Sequence, residues 1–255
     1  MAHTPWGELP TGFGCHAVVV AGGAGTRFGG EVPKQFLPLG GEPIVAHTLR
    51  RFLSLSSALR VVLVLPKDQV AAWEAQYRRY LLPDRLDRLT VTVGGRTRTE
   101  SVLCGLQALY HELEEGHLYH ELVAIQDAVR PFSTPETILA SYHSAAHYGS
   151  GVAAVPSKSS LRRKTATGSE AVDRADYYAV QTPQTFRLDW LWQAYHRITD
   201  NTYTDDASLI EEAGHPIRLV DGTYDNLKIT TPEDLIVAEQ LLPAHLQRWP
   251  YPASV

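Results

Sequence analysis

Short apolar segments rich in valine alternate along the chain with longer, helix-like segments. The apolar segments lack strict polar alternation, which is typical of strands covered on both faces. The predicted strands are His16–Val20, Arg60–Leu65, Leu89–Val93, Leu122–Gln126 and Gly151–Val155. The predicted helices between them are Pro43–Leu53, Gln69–Tyr80, Thr99–Leu109 and Pro135–His147. This alternation predicts an α/β fold, a mostly parallel sheet with helices on both faces and ligands bound beyond the carboxyl ends of the strands.

A polar and basic segment, Ser157–Asp176, interrupts the alternation. It has too few apolar residues to belong to a core, and Thr167–Ser169 in its middle is a turn signal. We therefore predict a β-arm that projects from the sheet at about residues 157–178, with a disordered loop as the alternative. The remaining predicted elements are an extended segment Tyr177–Gln181 and the helices Leu188–Arg197, Asp205–Ala213 and Pro232–Leu242.

Length and composition narrow the class of protein. The 255 residues suit a single domain, residues 15–255, after an N-terminal extension of residues 1–14, of which we expect Met1–Thr11 to be mobile. No apolar run approaches the roughly 20 residues of a membrane span, and no secretory signal is visible, so we expect a cytoplasmic protein without a membrane partner. The net charge of −5 argues against a nucleic-acid partner. Cys15 and Cys104 lack metal-binding spacing and are interpreted as reduced thiols.

A glycine-rich loop, Ala21–Gly30, follows the first predicted strand. Glycines let backbone N–H groups approach phosphates closely, but the loop matches neither a P-loop nor a dinucleotide-binding fingerprint. Arg27 lies in this loop and Lys34 follows it, and two cations there could neutralise a triphosphate. A tight turn with two solvated cations is the alternative.

A second loop, Gly94–Ser101, also follows a strand and opens a helix. Its glycines leave room for a nucleotide base, and Ser101 could hydrogen-bond a base edge. Helix capping by Thr97 or Thr99 explains the same residues equally well. The segment therefore predicts a helix start, with a base-binding role left open.

A third loop begins with Asp127 at a predicted strand end. An acid there could hold Mg²⁺ or a ribose hydroxyl. Arg130 could bind a phosphate, or could simply pair with Asp127 to shape the turn. Lys228 lies just before a helix start, Thr231–Asp234, and alone it would be interpreted as a surface lysine.

Two other polar groups have a plain structural interpretation. His143 and His147 have i,i+4 spacing, but they lack the intervening glutamate of a zinc motif and are expected on a surface helix. Asp205 and Asp206 could resemble a catalytic pair. We interpret them as the acidic first turn of a helix capped by Thr204.

Taken together, the segments resemble the 2-C-methyl-D-erythritol 4-phosphate cytidylyltransferases of the non-mevalonate isoprenoid pathway. The similarity runs from about His16 to Leu242. The segments that carry it are AGGAGTRFGGEVPKQFLPLGGEPIVAHTL, GGRTRTESV, QDAVRPF, VDR, QTPQTF, TDDASLIEEAG and DNLKITTPEDL.

The resemblance implies a Rossmann-like nucleotidyltransferase fold and a homodimer formed through the arm. It implies transfer of CMP from CTP to a small polyol phosphate, with Mg²⁺ as the cofactor. The catalytic residues implied are Arg27, Lys34, Arg174 and Lys228. The nucleotide-binding residues implied are Ala21, Gly22, Gly23, Gly25, Gly95, Ser101 and Asp127. The acceptor-binding residues implied are Asp127, Arg130, Ser160, Arg174, Thr182 and Lys228, and Asp127 is also a candidate metal ligand.

The chain departs from the family pattern at three places. The family usually begins the first loop Ala-Ala-Gly, where this chain has Ala21–Gly23. Arg96 replaces a common acidic residue, and Ser159–Ser160 replaces Asp-Thr in the arm. The related ribitol-5-phosphate cytidylyltransferases share several segments and give the main alternative function. A non-catalytic nucleotide-binding regulatory protein of the same fold is the second alternative.

Overall fold

A seven-stranded sheet forms the centre of the computed structural model, which describes residues 6–21, 32–113, 118–198 and 203–251. Its strands are β1 (Gly14–Val20), β4 (Arg60–Leu65), β5 (Leu89–Val93), β6 (Glu121–Asp127), β7 (Ser150–Pro156), β10 (Tyr178–Arg187) and β11 (Leu219–Asp221). Across the sheet they follow the order β11-β7-β10-β6-β1-β4-β5. Strand β10 runs antiparallel to both of its neighbours, and the other pairs are parallel. The prediction of a mostly parallel sheet is confirmed.

Helices cover both faces of this sheet. They are α1 (Ile44–Leu53), α2 (Lys67–Ala72), α3 (Pro83–Leu86), α4 (Arg98–Glu112), α5 (Pro135–Tyr148), α6 (Leu188–His196), α7 (Asp206–Glu212) and α8 (Pro232–Arg248). Side chains alternate along β1, so that Ala17 and Val19 pack with α1 and α5. Val18 and Val20 pack with α4, α6 and α7 on the opposite face. This alternation is what the apolar character of both strand faces predicted.

Three predicted elements differ in extent from those observed. The predicted helix Gln69–Tyr80 is α2 followed by a π turn and a 3₁₀ turn, which bury Trp73 and stack Tyr77 on Phe36. The extended segment predicted to end at Gln181 continues to the end of β10, because Gln184–Arg187 also pair with β6. Helix α8 continues past Leu242 to Arg248, through Pro243. It does so because the buried stripe on its inner face extends to His245.

The polar segment after β7 forms the predicted hairpin. Its strands are β8 (Arg162–Thr165) and β9 (Gly168–Ala171), which pair antiparallel and form a small sheet of their own. No residue between 156 and 180, a stretch that the structure describes in full, is buried. A second small hairpin, β2 (Pro38–Leu39) and β3 (Glu42–Pro43), precedes α1 and was not predicted.

Residues 6–13 lie against the domain, whereas we expected Met1–Thr11 to be mobile; positions 1–5 lie outside the described residues. Trp6, Leu9 and Phe13 pack against the core cluster beside α5. His143 Nε2 lies 2.9 Å from the carbonyl oxygen of Glu8, which places that histidine in a structural contact. Among the described helices, none is long and apolar enough to cross a membrane.

Candidate active site

Strands β1 and β6 end side by side at the carboxyl edge of the sheet. Val20 pairs with Asp127 in the parallel register, and Asp127 is only 6% exposed. Strand β5 is parallel to β4, and β4 to β1, so the loop that begins at Gly94 leaves the same edge. The predicted loops therefore converge where ligands bind in open α/β sheets.

Within the described part of the chain, three cationic side chains surround the Asp127 carboxylate. Lys228 Nζ lies 2.9 Å from Oδ2, Arg130 Nε lies 3.4 Å from the same oxygen, and Arg98 Nε lies 3.4 Å from Oδ1. Burial by itself would raise the pKa of Asp127, but Lys228, Arg98 and Arg130 together lower it to about 2. Asp127 is therefore ionised, and the predicted pair with Arg130 is one part of a larger cluster.

A hydrogen-bond network places Lys228 against this carboxylate. Arg130 Nη1 donates to the carbonyl oxygen of Asn226 at 2.7 Å. The Asn226 amide donates to the carbonyl oxygen of Thr182 at 2.9 Å, and the Asp127 N–H donates to the Thr182 hydroxyl at 3.1 Å. Because Lys228 follows Asn226 by two residues, these bonds fix the segment that carries it. Asn226 is buried and was not singled out from the sequence.

Arg98 and the role of Asp206 were not predicted from the sequence. Arg98 begins α4, and its Nη1 and Nη2 donate to the two Asp206 oxygens at 3.0 and 2.7 Å. Asp206 is completely buried and also accepts a hydrogen bond from Tyr195. The capping residue of α7 is Asp205, not Thr204, and its carboxylate accepts from Ser208 N–H. The acidic pair thus divides into a cap and a buried counter-ion, a distinction that only the tertiary structure makes.

A cavity of about 390 Å³ opens in front of Asp127. Its wall is polar and carries both signs of charge. The lining residues are Arg98, Asp127, Arg130, Val180, Gln181, Thr182, Gln184, Thr204, Asp205, Ser208 and Lys228. A buried carboxylate ringed by cations, facing a polar cavity, suits a ligand with several hydroxyls and a phosphate.

Comparison with known proteins identifies the family of this fold and site. A model of the 2-C-methyl-D-erythritol 4-phosphate cytidylyltransferase family (IspD) matches residues 15–244. The chain belongs to this family. The protein of that name from Porphyromonas gingivalis (strain ATCC 33277) is 42% identical over 228 residues, covering 89% of this chain and 97% of that protein. The one from Phocaeicola vulgatus is 39% identical over 227 residues, covering 89% and 99%.

Solved structures agree with this assignment. The 4-diphosphocytidyl-2C-methyl-D-erythritol synthase of Anaerococcus prevotii superposes with a TM-score of 0.74 at 26% identity, covering 91% of this chain and 97% of that one. The 2-C-methyl-D-erythritol 4-phosphate cytidylyltransferase of Thermus thermophilus superposes with a TM-score of 0.68 at 28% identity, covering 92% and 99%. The Rossmann-like nucleotidyltransferase fold that the resemblance implied is thus confirmed.

Of the first glycine loop, Ala21–Gly30, the structure describes only Ala21, and Lys34 lies beyond the loop's end. Ala21 is buried, and its N–H donates to the carbonyl oxygen of Val64 at 2.9 Å. Lys34 begins a 3₁₀ turn, Lys34–Phe36, whose last two residues are buried. The other predicted residues of this loop lie outside the described residues, and they are Gly22, Gly23, Gly25 and Arg27.

The second loop forms the start of α4. Thr97 is its capping residue and accepts from Glu100 N–H, as one of the two interpretations predicted. A Cβ atom at Gly95 would collide with the Glu100 side chain, so the close approach of loop and helix requires glycine there. The Ser101 hydroxyl donates to the Thr97 carbonyl at 2.8 Å and is buried. The base-binding role of Gly95 and Ser101 remains a prediction.

Two predicted acceptor residues lie on the arm rather than at the cavity of their own chain. Ser160 is exposed. Arg174 is also exposed, and its Nη1 donates to the carbonyl oxygen of Lys158 at 3.0 Å. Neither residue lines the cavity in front of Asp127. Within the single chain that the structure describes, neither one is brought to this site.

The surroundings of Asp127 bear on its suggested role as a metal ligand. Both of its oxygens contact cationic nitrogens. Among the described residues, no group of three or more histidine, cysteine, aspartate or glutamate side chains could hold a metal ion. A carboxylate that already contacts three cationic side chains attracts Mg²⁺ weakly, because the surrounding positive charge repels the ion. The observed contacts fit a hydroxyl-binding or phosphate-positioning role better than metal ligation.

Proposed function

We propose that this chain transfers the CMP group of CTP to 2-C-methyl-D-erythritol 4-phosphate and releases pyrophosphate, as a step of the non-mevalonate isoprenoid pathway. The observation that carries the proposal is the Asp127 carboxylate held by Lys228, Arg130 and Arg98 at a polar cavity, in a member of the cytidylyltransferase family. Reduced Cys15 and Cys104 fit the cytoplasm as its compartment.

The acceptor phosphate is the nucleophile in this reaction. It is ionised at neutral pH, so the attack on the α-phosphate of CTP needs no general base. The protein's task is to hold two polyanions together and to neutralise charge as the bond to pyrophosphate breaks. Lys228 suits contact with the acceptor phosphate, because its side chain is 39% exposed, against 26% for Arg98 and 13% for Arg130.

The nucleotide is assigned to the two glycine loops. Backbone groups of residues 21–25 and Gly95, with the Ser101 hydroxyl, bind CTP. Arg27 and Lys34 stabilise the charge that develops at the α-phosphate. Asp127 lies between nucleotide and acceptor, and Arg130 and Thr182 complete the acceptor site beside it. Mg²⁺ would enter with the nucleotide and would offset the charge of its phosphates.

A homodimer formed through the arm completes each active site in this proposal. The arm has no buried residue between positions 156 and 180, and Tyr177, Tyr178 and Val180 at its base are exposed apolar side chains. Exposed apolar residues beside a polar arm are typical of a contact surface. A twofold dimer would exchange the arms, so that each chain lends Ser160 and Arg174 to the cavity of its neighbour.

Mixed dimers test this shared site. We expect Lys34→Ala and Arg174→Ala homodimers to be nearly inactive, because each of their sites lacks one cation. Co-expression of the two chains with different affinity tags gives mixed dimers, in which one site carries both defects and the other carries none. With random pairing, roughly a quarter of wild-type pyrophosphate release should return. A verified mixed dimer that stays inactive would show that Arg174 acts within its own chain.

The choice of acceptor separates the proposed function from its alternatives. The assay offers 2-C-methyl-D-erythritol 4-phosphate and ribitol 5-phosphate separately, with CTP and Mg²⁺, and measures pyrophosphate release against CTP alone. We expect release with the first acceptor and little with the second. Preferential use of ribitol 5-phosphate would instead make the chain a ribitol-5-phosphate cytidylyltransferase. CTP binding without release, with either acceptor, would support a non-catalytic regulatory protein.

A further inference from the structure

The buried carboxylate of Asp206 has a use that helix capping does not explain. Asp205 already caps α7 through the N–H of Ser208. Asp206 instead turns inward, is completely buried, and binds Arg98 with both oxygens. A buried ion pair is a weak source of stability, because desolvation offsets much of the attraction. The role of this ion pair is therefore sought in the contact that Arg98 makes with Asp127.

Arg98 is held at its terminal nitrogens and directs its Nε–H to the active-site carboxylate. Nη1 and Nη2 each donate to Asp206, and Nε lies 3.4 Å from Asp127 Oδ1. Tyr195 donates to the same Asp206 carboxylate from α6. Burial by itself would lower the pKa of Arg98, but Asp206 above all, and then Asp127, raise it above its ordinary value. The guanidinium is thus a fixed, permanently charged part of the cavity wall.

The three cations around Asp127 are not equivalent. Lys228 and Arg130 both contact Oδ2, and in the described structure Arg98 is the cationic partner of Oδ1. Two contacts on one oxygen leave the carboxylate able to turn about its Cβ–Cγ bond, whereas a third contact on the other oxygen fixes its plane. Arg98 therefore controls the orientation in which Asp127 meets Lys228.

We propose that Arg98, locked by the buried Asp206 carboxylate and the Tyr195 hydroxyl, is a positioning residue that fixes the plane of the Asp127 carboxylate for cytidylyl transfer. This inference rests on the proposed function. In this arrangement, helices α6 and α7 support the active site through Tyr195 and Asp206. Tyr195 donates to Asp206, which contacts the first turn of α4 at Arg98, and the same turn contains Ser101. Asp206 and Tyr195 act only through Arg98 and touch neither substrate.

A double-mutant cycle tests the inference. Asp206→Asn and Tyr195→Phe are each made in the wild type and in an Asp127→Asn background, and kcat and KM for both substrates are measured. We expect Asp206→Asn to lower kcat/KM for the acceptor by about tenfold, and Tyr195→Phe by about threefold. In the Asp127→Asn background, the same changes should alter kcat/KM by less than about twofold, because the carboxylate that Arg98 orients is gone.

A matched control comes from α6. Asp189 is also buried and binds Arg187 with both oxygens at 3.0 Å, but it does not line the cavity. Asp189→Asn should leave kcat/KM unchanged. Thermal unfolding of every variant, followed by circular dichroism, separates loss of folding from loss of positioning. If Asp206→Asn does not fold, the same double-mutant cycle is measured with Tyr195→Phe alone, since phenylalanine fills nearly the same buried volume.

The outcomes distinguish this inference from the proposed function. Wild-type protein that releases no pyrophosphate with CTP and 2-C-methyl-D-erythritol 4-phosphate overturns the proposed function, and the inference with it. If the wild type is active, but Asp206→Asn or Tyr195→Phe lowers kcat/KM equally in both backgrounds, the inference alone is overturned. The effect would then be a general disturbance of α6 and α7.

Discussion

Replacement of Asp127 by asparagine tests whether the cation cluster acts on this carboxylate as the structure indicates. Asparagine keeps the size of the side chain and removes only its charge, so it imitates the protonated aspartate. The pKa of Asp127 is lowered from an ordinary 3.8 to about 2, against the opposing effect of its own burial. Ionisation of Asp127 is therefore easier in the folded protein than in the unfolded chain, so the charge of this carboxylate stabilises the fold.

The size and the direction of the effect follow from this difference. The lowering of the pKa from 3.8 to about 2, at about 1.4 kcal/mol per pKa unit, stabilises the folded protein by about 2 kcal/mol at neutral pH. Because the folded pKa is the lower one, this stabilisation is complete above pH 4 to 5 and disappears as pH falls toward 2. Between pH 7 and pH 3, about 1 kcal/mol of it is lost.

Urea unfolding at pH 7, 5, 4 and 3, followed by tryptophan fluorescence, measures the effect. The gap in unfolding free energy between wild type and Asp127→Asn should be about 2 kcal/mol at pH 7 and should narrow by about 1 kcal/mol at pH 3. Ile125→Val, on the same strand, should cost about 1 kcal/mol at every pH, because it removes a buried methylene and no charge. A gap for Asp127→Asn that stays constant with pH would refute the reasoning.

Three further predictions concern catalysis and its support. Lys34→Ala or Arg27→Ala should lower turnover by about 10²–10³-fold with the fold intact, and near-normal pyrophosphate release in either variant would exclude the assigned role. CTP should be used in preference to UTP, because uracil reverses the hydrogen-bonding pattern at ring position four at a cost of roughly 1–3 kcal/mol per unpaired group, and equal rates would contradict this. Asn226→Ala removes the side-chain hydrogen bonds to Ser133, Gln181 and Thr182. It should lower the unfolding free energy by about 2 kcal/mol and raise the KM for the acceptor. An unchanged urea midpoint and an unchanged KM would argue against a role for this network.

Much of the fold was predictable because its determinants are local. Strands such as Arg60–Leu65 were placed correctly from valine-rich segments bounded by polar residues. The errors arose where tertiary packing decides the outcome. The length of β10 depends on its pairing with β6, and the continuation of α8 through Pro243 depends on contacts of its buried face. Neither partner is visible in the local pattern.

The part of the candidate site that lies at the carboxyl ends of strands was predictable from the sequence. Asp127 and Arg130 were found because they come directly after an apolar strand. Arg98 and Asp206 were missed because 108 positions separate them in the sequence and each has a sufficient local explanation, one as the first turn of a helix and the other as an acid beside a cap. Long-range ion pairs of this kind have no periodicity for a sequence pattern to reveal.

The join between the arm and the sheet makes the arm an interchangeable module. Strands β7 and β10 are held together by their own antiparallel ladder, which closes at the Pro156–Tyr178 pair before the chain leaves the sheet. Everything between these two residues could be shortened, lengthened or replaced without changing which residues pair inside the domain. In the proposed dimer, grafting an arm from another member of the family onto this pair of strands would therefore change the partner that the chain recognises, while the residues that its own chain gives to the cavity are kept.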